Sequence, residues 1–143
     1  MKILLIGATG YIGKRLLPVL IEQGHKVVCC VRDKNRFPSE GIYKHPNISL
    51  LEIDFLKDIQ SSGSSVSSSF INDIDAAYYL IHSMSSNVKD FGSLEETSAN
   101  NFIKLVKQTS TKQIIYLGGI TNEEKLSKHL ASRKRVEEIL SKS

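Results

Sequence analysis

Disulfide frameworks, zinc-ligand spacings and long apolar segments are all missing from this 143-residue sequence. The only cysteines, Cys29 and Cys30, are neighbours in a predicted strand, so their side chains point to opposite faces and do not bridge each other. This cysteine usage predicts a reduced, cytoplasmic protein without a metal site. The apolar start, residues 3–6, is too short for a signal peptide, and no segment reaches the length of a membrane span.

Charge of one sign is not concentrated in any part of the chain. There are 19 Lys and Arg residues against 15 Asp and Glu residues, which gives a formal net charge of +4. A nucleic-acid-binding domain should show a clustered basic face, whereas here the positive residues are spread out, so nucleic acid is not the favoured partner. Hydrophobic residues make up 41% of the sequence, enough for a single domain, residues 1–143, to bury a core.

Short apolar runs alternate with amphipathic stretches, which indicates βαβ units. The predicted fold class is α/β, a Rossmann-type doubly wound parallel sheet of five strands in order 3-2-1-4-5, with helices on both faces and right-handed crossovers. Strands are predicted at residues 2–6, 26–31, 48–53, 76–81 and 114–117, and helices at 11–23, 93–108 and 122–140.

Three features of the sequence bear on where the predicted helices form, end and pack. Pro18 removes an N–H in the middle of the first helix, so we expect a kink but not a break, and Gly24 is a natural stop. A serine-rich stretch, residues 61–69, predicts a loop or a weak helix. The apolar side of the first helix is predicted to contain Ile12, Leu16, Val19 and Leu20.

Three glycines, Gly7, Gly10 and Gly13, follow the first strand and open the first helix. The first permits a tight turn, the second lets the backbone approach a pyrophosphate, and the third lets the helix pack against the strand. Free N–H groups and the positive end of the helix dipole then face the anion. This strand–turn–helix context predicts a dinucleotide site rather than an empty glycine turn. Its predicted contacts are Gly7, Thr9, Gly10, Tyr11, Ile12 and Gly13.

The end of the second strand bears on which dinucleotide binds. An acidic residue there would bind the ribose 2′-hydroxyl of NAD, whereas an arginine accommodates the 2′-phosphate of NADP. Arg32 therefore favours NADP, and Asp33 keeps NAD open. Lys34 and Arg36 are more simply read as solvated loop charges. Asp54, at the end of the third strand, is placed either near the adenine or as a helix N-cap.

His82 and Ser83 follow the fourth predicted strand. Ligands of open parallel sheets bind at the carboxyl ends of the strands, so these residues are predicted to lie near the nicotinamide or the substrate. The alternative is that they form hydrogen bonds that stabilise their own loop.

With these motifs the sequence resembles the short-chain dehydrogenase/reductase superfamily, above all its extended and atypical branches. The Gly-Ala-Thr-Gly-Tyr-Ile-Gly start is typical of nucleoside-diphosphate-sugar epimerases and of NmrA-like NAD(P)-binding proteins. Residues 77–84 and 129–133 resemble one uncharacterised bacterial subgroup of these proteins. The resemblance covers essentially all of this chain but only the N-terminal half of such a family member, which continues with further strands and a small C-terminal substrate domain.

The resemblance implies a Tyr-x-x-x-Lys pair on the helix after the fifth strand and a Ser or Thr where that strand ends. The matching positions here are His129 and Arg133, and the strand ends in Gly118 and Gly119. His129 and Arg133 are four residues apart and so share a helix face. A histidine exchanges protons near neutral pH, so His129 is a candidate general acid, with Arg133 anchoring ribose or phosphate. Ligand binding without chemistry, or an incidental surface position, are the alternatives.

Two functions remain open from the sequence. The first is an NAD(P)-dependent oxidoreductase or epimerase with a non-standard active site, acting on an unidentified small molecule. The second is a non-catalytic NAD(P)-sensing regulator or accessory subunit that binds a protein partner. The replaced Tyr, Lys and Ser favour the second function, while the glycine loop fits both. A sheet edge left uncovered by missing strands would also favour a homo-oligomer.

Overall fold

The computed structural model describes residues 1–57, 59, 71–81, 90–119 and 127–143. The predicted serine-rich loop and the predicted helix start at 122–126 therefore lie outside the described residues. The strands are β1 (Lys2–Ile6), β2 (Lys26–Val31), β3 (Ile48–Glu52), β4 (Ala76–Tyr79) and β5 (Gln113–Tyr116), and the helices are α1 (Tyr11–Glu22), α2 (Phe91–Val106) and α3 (Lys128–Ser141).

The five strands form one parallel sheet in the order β3-β2-β1-β4-β5, which confirms the predicted topology. Ile6 on β1 lies opposite Cys30 on β2 and Tyr79 on β4, and Tyr79 lies opposite Tyr116 on β5. Because all strands run the same way, their carboxyl ends meet at one edge of the sheet. That edge is where open α/β sheets bind their ligands.

The sheet is covered on both faces, which explains why its central strands are continuously apolar. Leu4 and Cys30 belong to a hydrophobic cluster with α2 and α3, whereas Leu5 and Cys29 belong to a second cluster with α1. The two cysteines are free and point to opposite faces, as predicted. Their burial raises the pKa of the Cys29 thiol to about 12 and raises that of Cys30 as well.

Helix α1 runs without interruption through Pro18 and ends at Glu22, two residues before the glycine predicted to stop it. Gly24 has a φ of +79°. The N–H of Gly24 donates to the carbonyl oxygen of Ile21 at 2.9 Å, and the N–H of His25 donates to that of Leu20 at 3.1 Å. This pair of bonds is a Schellman motif, in which a left-handed residue satisfies the last carbonyls of a helix.

The predicted apolar side of α1 is wrong in part. The buried residues are Gly13, Leu17, Leu20 and Ile21. Ile12 and Val19, predicted to face inward, are 39% and 45% exposed. The packing of Gly13 against the glycine loop sets the rotation of the helix, so the stripe that begins at residue 13 faces the sheet.

Helix α2 begins two residues earlier than predicted, and it is hydrogen-bonded to the residues that follow β3. The side-chain amide of Asn101 donates to the carbonyl oxygens of Phe55 at 2.7 Å and Lys57 at 3.1 Å. Asn101 is itself buried, so these two bonds satisfy a polar group inside the core. Within the described ranges, no helix has both the length and the apolar character needed to cross a bilayer.

Candidate functional site

The glycine loop leaves β1 by a tight turn that only glycine accommodates. Gly7 has a φ of +91°. A Cβ atom at this position would lie 2.8 Å from the carbonyl oxygen of Leu80, just after β4. The N–H of Gly10 closes the turn by donating to the carbonyl oxygen of Gly7 at 3.0 Å. The loop is therefore fixed by backbone contacts to its own first residue and to the neighbouring strand.

Gly13 brings the first turn of α1 directly onto this loop. A Cβ atom at Gly13 would overlap the carbonyl oxygen of Gly7 and lie 2.8 Å from the carbonyl carbon of Ala8. These are backbone atoms, which cannot rotate away. The predicted structural roles of Gly7 and Gly13 thus have a direct steric basis.

The start of α1 has no internal group that would neutralise its N–H donors. Gly10, the N-cap, has no side chain to accept a hydrogen bond, and the first turn contains no acidic residue. The bond from the N–H of Lys14 to the carbonyl oxygen of Gly10, 2.9 Å long, spans the first full turn. Helix geometry leaves the preceding N–H groups without intrahelical partners. Thr9, Gly10 and Tyr11 are exposed beside them. The loop and helix start, residues 7–13, therefore form a glycine cradle that fits a pyrophosphate.

Beyond β2, an exposed arginine precedes an aspartate that is already engaged. Arg32 is exposed. The Oδ1 atom of Asp33 accepts a hydrogen bond from the N–H of Asn35 at 2.9 Å and so caps a short 3-10 turn. The N–H of Lys34 donates to Oε2 of Glu52, the last residue of β3, at 2.8 Å. These bonds fix the chain that follows Asp33, and Arg32 before it is exposed.

Asp54 closes a turn of its own after β3. Its Oδ1 atom accepts from the N–H of Leu56 at 3.0 Å, and its carbonyl oxygen accepts from the N–H of Lys57 at 3.1 Å. The alternative considered from the sequence, a capping role, is thus realised on a turn rather than on a helix. The predicted contacts His82 and Ser83 lie outside the described residues.

His129 and Arg133 lie one turn apart on α3, as predicted. Ser127 caps this helix by accepting a hydrogen bond from the N–H of Leu130 at 3.3 Å. His129 is exposed and Arg133 is half-buried. The hydroxyl of Tyr116 donates to the carbonyl oxygen of Arg133 at 3.4 Å, so the end of β5 is tied to α3.

The glycine after β5 packs closely against α3. A Cβ atom at Gly119 would lie 2.8 Å from Cδ2 of Leu130 and 3.9 Å from Cδ of Arg133. At this end of β5, where the resembling enzymes carry a Ser or Thr, the side chain of Leu130 packs against a glycine.

A buried polar cluster, formed by Tyr79, Glu95, Ser98 and Ser132, was not predicted. The hydroxyl of Ser132 on α3 donates to Oε2 of Glu95 on α2, and the hydroxyl of Tyr79 donates to Oγ of Ser98 at 3.2 Å. Burial raises the pKa of Tyr79 to about 12, and the charge of Glu95 also raises it, while the bond to Ser98 lowers it. Burial and the charge of Glu95 likewise raise the pKa of Tyr116.

Helical spacing contains the signal that could have revealed this cluster. Glu95 and Ser98 fall on the same side of α2 as Phe102 and Leu105, both of which are fully buried. A polar residue at such a position is expected to find a buried partner. The sequence could identify the need for partners, but not Ser132 or Tyr79 as the residues that meet it.

In the described part of the chain, no three His, Cys, Asp or Glu side chains lie together in a way that could hold a metal ion.

Comparisons with known proteins agree with the geometry of the glycine cradle. The family model described as NAD(P)H-binding matches residues 7–142. A phenylcoumaran benzylic ether reductase of Pinus taeda is 26% identical over 110 residues, which cover 77% of this chain and 32% of that protein. The chain thus spans about a third of the length of this curated relative.

Solved structures share the fold. A protein from Bacillus halodurans described as an NAD-dependent epimerase/dehydratase superposes with a TM-score of 0.75 at 19% identity, over 100% of this chain and 65% of that chain. A yeast methylglyoxal/isovaleraldehyde reductase in complex with NADPH gives 0.76 at 13% identity, over 99% and 52%. These neighbours are consistent with the resemblance to extended and atypical short-chain dehydrogenases/reductases. Since the family model matches nearly the whole sequence, this Rossmann domain belongs to the NAD(P)H-binding family.

Proposed function

We propose that this domain binds NADP, with Arg32 as the ligand of the 2′-phosphate. The observation that carries the proposal is the contrast between Arg32 and Asp33. The carboxylate of Asp33 is engaged by the N–H of Asn35, whereas the Arg32 guanidinium is exposed where the chain leaves β2. A guanidinium binds phosphate through paired, charge-assisted hydrogen bonds. An aspartate engaged in a turn is less able to receive the ribose hydroxyls of NAD.

The rest of the proposed cofactor site follows the carboxyl edge of the sheet. The N–H groups of the glycine cradle, residues 7–13, would hold the pyrophosphate through the positive end of α1. Asp54 would lie near the adenine. His82 and Ser83 remain predicted contacts of the nicotinamide or the substrate.

Calorimetric titration with NADPH and NADH tests this proposal on the whole chain. We expect NADPH to bind more tightly, and Arg32→Ala to weaken NADPH about tenfold or more while leaving NADH nearly unchanged, because a charge-assisted bond is lost. Lys44→Ala is a matched control that removes one exposed charge from another turn. Equal affinity of the wild type for both nucleotides would contradict the NADP preference.

The reaction class proposed for the protein is that of an oxidoreductase or epimerase with a non-standard active site. The nicotinamide would exchange a hydride with a substrate carbon. His129 would give the accompanying proton to the carbonyl oxygen, or take it from the hydroxyl in the reverse direction. Its exposed position on the first turn of α3 supports this role, because the next residue, Leu130, packs against Gly119 after β5. Arg133, one turn further, would anchor a ribose or phosphate oxygen.

Oxidation of NADPH, followed by absorbance with a panel of aldehydes and ketones, tests the chemistry. We expect His129→Gln to reduce turnover by about a hundredfold, the scale of a lost general acid, without changing NADPH affinity. His25→Gln is the matched control, because His25 lies beside the chain terminus at the opposite edge of the sheet. Equal turnover by both variants would exclude His129 as the proton donor.

The second candidate, a non-catalytic NADP sensor or accessory subunit, is favoured by one observation. The Cδ2 atom of Leu130 lies 2.8 Å from where a Cβ atom at Gly119 would be. This position therefore has no counterpart of the Ser or Thr hydroxyl that the resembling enzymes carry at the end of the fifth strand. Tight NADPH binding with no turnover of any carbonyl substrate would support this candidate over the enzyme.

A further inference from the structure

Arg15 on α1 turns back over the start of its own helix. Its guanidinium carbon lies 3.7 Å from the centre of the Tyr11 ring. Its Nη1 atom also donates to the carbonyl oxygen of Tyr11 at 3.1 Å. Side chains on a helix lean toward the N-terminus, and here a cation–π contact and a hydrogen bond hold the head group in that direction. Arg15 is thus held near the glycine cradle.

This position opposes the ordinary electrostatics of a helix. A cation is favourable at the C-terminal end of a helix and unfavourable at the N-terminal end, where the dipole is already positive. The first turn of α1 offers no acidic residue to offset it. Among the described residues, the arginine that forms ion pairs is Arg135, with Glu96 and Glu138 on the surface of α2 and α3. The partners that hold Arg15 there are the ring and the carbonyl oxygen of Tyr11, and no carboxylate of the first turn offsets its charge. A local arrangement that breaks a general rule in this way is typical of a functional site.

The Tyr11 ring that supports Arg15 is itself turned to solvent. Tyr11 is 71% exposed, so its ring buries little apolar surface and contributes little to the core. It is the first residue of α1 and directly follows Gly10. The pair therefore lies at the first turn of the helix, directly after the glycine loop, and its guanidinium is held beside the residue that follows Gly10.

We propose that Arg15, held by the Tyr11 ring, is a further ligand of the dinucleotide pyrophosphate. This inference rests on the proposed nucleotide binding and adds a side-chain cation to a cradle otherwise made of backbone N–H groups. A guanidinium presents several donors in a fixed plane and stacks on an aromatic face while it binds phosphate. The bound anion would also remove the unfavourable interaction between Arg15 and the helix dipole.

Because the pyrophosphate is common to NADP and NAD, the proposed role of Arg15 can be distinguished by experiment from that of Arg32. Loss of a pyrophosphate ligand should weaken both nucleotides by the same factor. Loss of a 2′-phosphate ligand should weaken NADPH alone. Adenosine 2′-monophosphate, which carries the 2′-phosphate but no pyrophosphate, should bind Arg15→Ala as it binds the wild type.

Calorimetric titration of the whole chain with NADPH, NADH and adenosine 2′-monophosphate tests the inference. We expect Arg15→Ala to weaken NADPH and NADH by about tenfold each, and Arg15→Lys to recover part of the loss because the charge is kept. Lys14→Ala is the control, since it removes the same charge one residue earlier and should change affinity less than about twofold. Melting temperatures of all variants show that α1 is intact.

Each other result decides against the inference. If wild type binds NADPH and Arg15→Ala binds it equally well, Arg15 is no ligand and the proposed nucleotide binding stands. If Arg15→Ala and Lys14→Ala lose the same affinity, the effect is one of overall charge. If the wild type binds neither NADPH nor NADH, the proposed function fails together with this inference.

Discussion

Two neighbouring parts of the molecule, the centre of the sheet at β1 and its β4–β5 side, are built by different means. Around β1 and α1 the arrangement depends on backbone atoms, because Gly7 and Gly13 let main chain approach main chain. Around β4, α2 and α3 it depends on side chains, because the buried polar cluster joins these elements, notably through Glu95 and Ser132. The region built from backbone atoms should tolerate substitution of the surface side chains around it. The region built from side chains depends on the identity of each hydrogen-bonding partner.

The starts of α1 and α3 show the same contrast. Helix α3 is capped by its own Ser127, whose hydroxyl accepts from the N–H of Leu130. Helix α1 begins at Tyr11, and its N-cap, Gly10, offers no side chain to accept a hydrogen bond. A serine cap typically contributes about 1 kcal/mol to helix stability. The helix beside the glycine cradle lacks that internal contribution, and its donors stay available for an external anion.

The largest effect on stability is expected from a substitution that disrupts the close backbone packing between the glycine cradle and α1. Gly13→Val places a branched side chain against the carbonyl oxygen of Gly7 and the backbone of Ala8, so we expect a loss of more than about 4 kcal/mol in the free energy of unfolding. Thermal denaturation followed by circular dichroism measures it. Gly92→Ala is the control, because a Cβ there meets nothing within 4 Å and should stabilise α2 by up to about 1 kcal/mol. Similar melting temperatures for both variants would show that α1 does not rest on the loop.

A smaller effect is expected from the side-chain-built region. Ser132→Ala deletes the hydroxyl that donates to the buried carboxylate of Glu95. Hydrogen bonds to buried charged groups contribute about 1–3 kcal/mol, so we expect a loss of that size in urea denaturation, with nucleotide affinity unchanged. Ser141→Ala, which removes an exposed hydroxyl bonded to the carbonyl oxygen of Glu138, should change stability by about 0.5 kcal/mol or less. Equal losses in the two variants would remove the distinction between the buried cluster and the surface.

The smallest effect is a dependence on alkaline pH. The pKa of Tyr79 is raised to about 12 in the fold from an ordinary value of 10.0, so the folded protein holds this proton more tightly than the unfolded chain. Its contribution to stability is full below the unfolded pKa and is lost as the pH rises toward the folded one. Between about pH 9 and pH 11 we expect the wild type to lose about 1 kcal/mol more than Tyr79→Phe does. Parallel urea midpoints for both proteins across this range would contradict the raised pKa.

The sheet could be predicted because each of its strands is an apolar run between turn-forming residues. The order and direction followed from the βαβ alternation, and the strand ends were correct to within two residues. β4, predicted to reach Ile81, ends at Tyr79, although the N–H of Leu80 still donates to the carbonyl oxygen of Ile6 at 2.9 Å. Local pattern was sufficient here because even the partly buried edge strands β3 and β5 are short apolar runs.

The rotation of α1 could not be chosen from periodicity. The predicted stripe contains Ile12 and Val19, and the observed one contains Leu17 and Ile21, so both are apolar and both have helical spacing. The steric demand of Gly13 against the loop decides between them. A glycine was thus more informative about the buried face than the large apolar residues were.

One part of the candidate site could be predicted from local sequence and another part could not. The glycine cradle was predicted because its chemistry requires glycine at fixed spacing. The buried polar cluster was not, because Glu95 and Ser132 are 37 residues apart and meet only once α2 has packed on α3. The proposed roles of Arg32, Asp54, His129 and Arg133 stay predictions until the nucleotide is titrated.

Cys29 and Cys30 are adjacent thiols that a reagent could label, and each lies in a different hydrophobic cluster. A thiol reacts as the thiolate, and burial with a raised pKa keeps both thiols unreactive in the closed structure. Single-cysteine variants, Cys29→Ala and Cys30→Ala, would therefore react only when one particular layer opens. Their labelling rates would time the separation of α1 from the sheet independently of the separation of α2 and α3.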